Sequence, residues 1–91
     1  MAHIEKQLTA LFREAGAAHH RAFASTNGED ADWPGWYAGY LVPRLEELTG
    51  RSFDPPTLAG ELKAMDAQHM DGGEGPWPEF YARSFCERHS L

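Results

Sequence analysis

Two stretches of this chain are nearly the same: Asp32–Leu41 reads DWPGWYAGYL and Pro76–Phe85 reads PWPEFYARSF. With Trp33 set above Trp77 they align without gaps. Trp33/Trp77, Pro34/Pro78, Tyr37/Tyr81, Ala38/Ala82 and Arg44/Arg88 are identical, and Trp36/Phe80 and Leu41/Phe85 keep their character. A proline inside a helix removes a hydrogen bond and clashes with the carbonyl four residues back. In the first turn it costs nothing, because its missing N–H has no partner there. Each stretch is therefore a helix start, and the two lie 44 residues apart in a chain of 91.

The remaining segments follow the same punctuation. From about Ile4 to Ala24 the apolar residues Ile4, Leu8, Leu11, Phe12, Ala15, Ala18, Ala22 and Phe23 gather on one side at 100° per residue. Lys6, Arg13, His20 and Arg21 fall on the other. STNGED stops this helix, with Asn27-Gly28 as a left-handed turn. The second helix spans 33–49, with Asp32 as its cap and Gly50 as its terminator. Pro43 inside it predicts a kink, or a split into two shorter helices, because its ring meets the Gly39 carbonyl. A third helix over 56–70 follows Asp54, with Pro55 and Pro56 at its start and a stripe of Leu58, Leu62, Met65 and His69. DGGEGP is a joint, and the fourth helix covers 77–89. No segment alternates as a strand does. The prediction is an all-α, compact four-helix array forming one domain over residues 1–91, with short joints favouring antiparallel neighbours. The repeat has two explanations: duplication of a helical hairpin, or convergence on a good helix start. Only the second half of each unit matches, which leaves both open.

The size sets what such an array can hold. A chain this long buries roughly 60–65% of its unfolded surface, enough for a core and a stability of about 5–9 kcal/mol. Composition is that of a folded protein, 42% hydrophobic and 24% charged. The net charge of −6 opposes phosphate backbones and acidic membrane surfaces, so neither nucleic acid nor membrane is an expected partner. No apolar run reaches a membrane span, and MAHIEKQLTALF lacks the pattern of a signal peptide. One cysteine, Cys86, forms no internal disulfide, which fits a reducing, cytoplasmic setting.

The aromatic motif has a structural role and a chemical one. An indole before a first-turn proline folds back on the residue four later, as a hydrophobic staple does, so Trp33 belongs near Tyr37 and Trp77 near Tyr81. Each ring removes roughly 150–250 Å² from water, a large share of so small a core. The same rings could wall a ligand cavity. Three polar residues break the apolar faces: His19 among Phe12, Ala15 and Phe23, His69 at the end of its stripe, and Arg44 on the Tyr37, Tyr40, Leu48 side. An inward histidine is usually a hydrogen-bonded core residue, and an inward arginine is usually paired, here with Glu47 or Asp66.

Three functional readings use these groups. A metal site would draw on His19, His20 and the Asp66-x-x-His69 pair, but adjacent histidines point about 100° apart and the chain offers few such pairs. Acid–base chemistry would use His19 or His69, with Tyr37 or Tyr81 as donor and Arg44 as anion clamp. No phosphate loop, nucleophile elbow, C-x-x-C or H-E-x-x-H accompanies them, and Cys86 lies off the aromatic face. Binding without chemistry is the leading class: a small ligand, a protein partner or a second copy of the chain, taken by a surface rich in aromatics. No metal and no cofactor is called for. The candidate ligand-binding residues are His19, His20, Trp33, Trp36, Tyr37, Tyr40, Arg44, His69, Trp77 and Tyr81.

Together, AHHRAF, DWPGWYAGYL and WPEFYARSF resemble a group of small bacterial proteins of uncharacterised activity. That group carries an HH-x-A-F helix, an acidic glycine-containing loop, D-W-P-x-W-Y-A-x-Y-L, and a second W-P-x-[FY]-Y-A near the C-terminus. The matched residues are His19, His20, Ala22, Phe23, Asp32 to Leu41, and Trp77 to Ala82. The resemblance implies no activity, cofactor or catalytic residue. It directs attention to His19, His20, Trp33, Trp36, Tyr37 and Tyr40 as one surface or pocket.

Overall fold

A computed structural model describes residues 2–26, 30–73 and 75–91. Four helices account for most of them: α1 (Ala2–Ala22), α2 (Trp33–Thr49), α3 (Pro55–Met70) and α4 (Trp77–His89). The first helix starts and stops two residues earlier than its apolar period suggests, and a short 3₁₀ turn over Ala24–Thr26 follows its end. The Asn27-Gly28 turn expected there lies outside the described residues. Among those residues no helix is long and apolar enough to cross a membrane.

The helix ends follow from local chemistry. Asp54 caps α3 by accepting from the Thr57 backbone N–H at 3.2 Å and from its hydroxyl at 2.7 Å. Gly50 ends α2 at φ +72°, its N–H bonded to the Glu46 carbonyl at 2.9 Å. Asp32 occupies the cap position of α2, but its side chain makes no capping hydrogen bond. Of the two outcomes expected at Pro43, a kink or a split, the split does not occur, and α2 continues through it over Trp33–Thr49. Pro43 is exposed, so carbonyls crowded by its ring face water, and the Tyr40 carbonyl accepts from Arg44 Nη1 at 2.7 Å.

The closest packing runs α1 against α4 and α2 against α3, with lighter contact between α1 and α2 and between α3 and α4. Each half of the chain thus lays its first helix chiefly against the second helix of the other half. The buried residues of all four helices form one hydrophobic cluster.

This arrangement exposes a second layer of the repeat. On α1 the buried positions are Leu8, Phe12, Ala15 and His19. On α3 they are Leu58, Leu62 and Met65, followed by half-buried His69, the same spacing 50 residues later. On α2 and α4, Pro34/Pro78, Ala38/Ala82 and Leu41/Phe85 are buried in register. The ring contacts also come in pairs. His19 meets Trp36 at 5.0 Å and His69 meets Phe80 at 4.9 Å, while Trp33–Tyr37 and Trp77–Tyr81 lie 5.9 and 5.3 Å apart, each nearly perpendicular. These buried positions and ring contacts match when α1 is exchanged with α3 and α2 with α4, a pseudo-twofold correspondence.

Two glycines inside helices have opposite surroundings, with a measurable consequence. A Cβ added at Gly16 on α1 would stand 2.7 Å from Trp77 Cζ2, whereas one added at Gly60 on α3 would meet nothing within 4 Å. Alanine normally stabilises a helix interior relative to glycine by roughly 0.5–1 kcal/mol. Gly60→Ala is therefore expected to gain about that much in urea unfolding. Gly16→Ala must displace a packed indole and is expected to lose about 1–3 kcal/mol. Equal effects at the two positions would contradict the packing described here.

Candidate functional site

The two proline-started helices point their first turns at the same place. Between them lies a partly open cavity of about 420 Å³, lined by Phe12, His19, Asp30, Trp33 and Tyr37 from the first half and Leu62, Asp66, His69, Trp77 and Tyr81 from the second. Four of the five pairs correspond across the pseudo-twofold: Phe12/Leu62, His19/His69, Trp33/Trp77 and Tyr37/Tyr81. The cavity therefore sits where the two halves meet. Its volume falls within the roughly 300–1,000 Å³ of small-molecule sites.

The walls are aromatic. Trp33 meets Tyr37 at 83°, Tyr37 meets Trp77 at 80° with centroids 6.4 Å apart, and Trp77 meets Tyr81 at 73°. Each ring thus stands nearly at right angles to the next, as the quadrupoles of edge-to-face pairs favour. Phe12 and Leu62, both essentially buried, supply the apolar floor.

The polar groups are held in a defined network. His19, 8% exposed, stacks on Tyr37 at 5.0 Å and on Phe23 at 4.7 Å, which fixes the plane of its ring. Its Nε2 pairs with Asp30 Oδ2 at 3.2 Å, and Asp30 Oδ1 accepts the Asp32 backbone N–H at 3.1 Å. Asp30 therefore organises the approach to α2 and orients His19 at once. Across the cavity, Tyr81 donates its hydroxyl to Asp66 Oδ1 at 3.0 Å, and His69 Nε2 donates to the Gly75 carbonyl at 2.9 Å. Among the described residues no buried side-chain nitrogen or oxygen lacks a partner.

The sequence candidates divide accordingly. His19, Trp33, Tyr37, His69, Trp77 and Tyr81 converge on the cavity. Trp36 packs on the outer side of this cluster, edge-on to His19, and Tyr40 stacks on Trp36 at 5.5 Å. His20 is exposed, turned away from its neighbour by the helical step. Arg44 also lies outside. Its guanidinium covers the Tyr40 ring at 3.7 Å, and its Nε is 4.0 Å from Glu14 rather than from Glu47 or Asp66. Pro43 and the Tyr40 carbonyl hold it on the surface, so the anion clamp expected from its helix position is not at the cavity. Among the described residues no three His, Cys, Asp or Glu side chains are grouped to hold a metal ion. Cys86 is buried, and burial, followed by the charge of Glu5, pushes its thiol pKa up, away from nucleophilic use.

Sequence reasoning missed Asp30. It lies in a loop, where no periodicity marks which acid turns inward. The register match of α1 with α3 was visible as L-x3-[FL]-x2-[AM]-x3-H. It was hidden because the offset is 50 residues there and 44 in the second helices. Set against family models, curated proteins and solved structures, the chain matches none of them.

The carboxylates also act on the phenols. Burial raises the Tyr37 pKa above its ordinary 10.0, with the charge of Asp30 adding to the effect. Tyr81 is raised further, first by burial and then by the hydrogen bond and charge of Asp66. An acid whose folded pKa is raised is stabilising while neutral. That contribution is complete below the unfolded pKa of about 10 and fades as pH climbs above it. Wild-type stability should therefore fall above about pH 10, and Tyr81→Phe should fall less steeply over the same range. Urea unfolding at about pH 8 and pH 11 measures both slopes, and equal slopes would exclude Tyr81 as the source.

Proposed function

We propose that this chain is a small-ligand-binding module whose ligand occupies the cavity between its two helix-start motifs. The observation that carries this reading is convergence. Two Trp, two Tyr, two His and two Asp, drawn equally from both halves, line one metabolite-sized space. Structural duty alone accounts for the indoles folding onto their own helices. The two histidines and two aspartates on the same space add polar groups to those aromatic walls.

The His19–Asp30 pair supports a second reading, a small enzyme in which His19 moves a proton. A carboxylate that fixes one imidazole nitrogen is how a histidine base is oriented. With Arg44 on the outside, such an enzyme would lack the anion clamp, which favours binding over catalysis. Assembly is a further role for the outer stack of Trp36 and Tyr40, through a protein partner or a second copy. A single buried thiol suits the reducing cytoplasm we propose as its setting.

A fragment screen read by ¹⁵N NMR tests the main reading. Hits should shift the indole N–H signals of Trp33 and Trp77 together and leave the Asp54–Thr57 cap, at the far end of α3, unmoved. Hits confined to the Trp36–Tyr40 face, or spread over the surface, would overturn it.

A further inference from the structure

Resting on the pocket reading above, we propose that the ligand is an organic cation, an amine or quaternary ammonium, boxed by Trp33, Tyr37, Trp77 and Tyr81 and balanced by Asp30 and Asp66.

The argument begins with what lines the cavity. Two carboxylates do, and none of the lining residues is Lys or Arg. The Asp30 side chain is only 11% exposed, so water and salt screen its charge poorly. His69 donates its Nε2–H to a carbonyl, and His19 is already engaged with Asp30. An anionic ligand would meet unfavourable charge from both sides. Asp30 and Asp66 already accept hydrogen bonds from His19, the Asp32 N–H and Tyr81, and a purely apolar ligand would take water from them with no charge of its own to offset the loss.

The ring geometry points the same way. A flat neutral ligand stacks best between parallel rings. Here three successive pairs, Trp33–Tyr37, Tyr37–Trp77 and Trp77–Tyr81, are near-perpendicular. Non-parallel walls suit a compact group rather than a flat one, and an ammonium is attracted by the negative faces of such rings, although His19 already covers one face of Tyr37. Asp30 and Asp66 line the same space as the four rings, so a cation held by the rings lies near negative charge. The acidic chain as a whole, at net −6, attracts a cation toward the site.

Choline and its uncharged isostere 3,3-dimethylbutan-1-ol separate charge from shape, with 3,3-dimethylbutanoate as the anionic counterpart. In titrations followed by the indole N–H signals, choline should bind at least about tenfold more tightly than the alcohol, and the anion most weakly. Asp66→Asn keeps an acceptor for Tyr81 while removing the charge. It should weaken choline several-fold and leave the alcohol unchanged. Asp30→Asn is the second variant and should act in the same direction. If the alcohol equals or exceeds choline at the same signals, the cation proposal falls and the pocket reading stands. If none of the three probes moves those signals, the cation proposal falls as well. The fragment screen then decides the pocket reading independently.

Discussion

The structure depends on the way an indole placed just before a helix proline turns back over its own first turn. At Trp33 and again at Trp77 the proline fixes where the helix begins, and the ring settles edge-on to the tyrosine four residues later. Because α2 and α4 both do this, each carries a rigid Trp–Tyr pair at one end. The exchanged packing of α1 on α4 and α2 on α3 brings those two ends together. The cavity exists because two bulky pairs meet across a pseudo-twofold and cannot close on each other completely. The tight approach of Trp77 to Gly16 shows how little slack remains around them.

Polar residues gain their roles from that crowding. His19 is not a surface histidine that happens to lie near an acid. Its ring is fixed by stacking on Phe23 and Tyr37 before Asp30 completes the pair. Tyr81 is likewise a core residue whose hydroxyl is satisfied by Asp66, so the buried phenol carries no unpaired donor. Satisfied networks of this kind specify one arrangement of a small core, since any repacking would strand a buried polar group. The far end of the bundle is secured by different means, with Phe53, Phe85 and His89 clustered and His89 paired to Glu61 at 2.9 Å. Polar and aromatic contacts thus hold α4 at both of its ends.

The all-α array and three of its four helix starts could be read from proline, aspartate and apolar period, because those signals act within one turn of the residues that carry them. Asp54 and Gly50 act as the sequence suggests. Asp32 does not, since Asp30 takes up the hydrogen bonding of that loop. Of the candidate site, His19, Trp33, Tyr37, His69, Trp77 and Tyr81 were legible from the faces they share with core residues. Arg44 was not, because a long side chain on a helix flank can turn either way. The Tyr40 ring and carbonyl, next to an exposed proline, drew it outward.

The sequence by itself determined the helices, their proline-led starts and the pairing of each tryptophan with its tyrosine, all consequences of contacts spanning about four residues. Only the tertiary structure decided that the halves interlock, that the two Trp–Tyr pairs face one cavity, and that Asp30 and Asp66 rather than Arg44 supply its charge. Those outcomes depend on contacts between residues far apart in the chain. Helical periodicity gives the face on which a residue lies, but not which distant face will cover it.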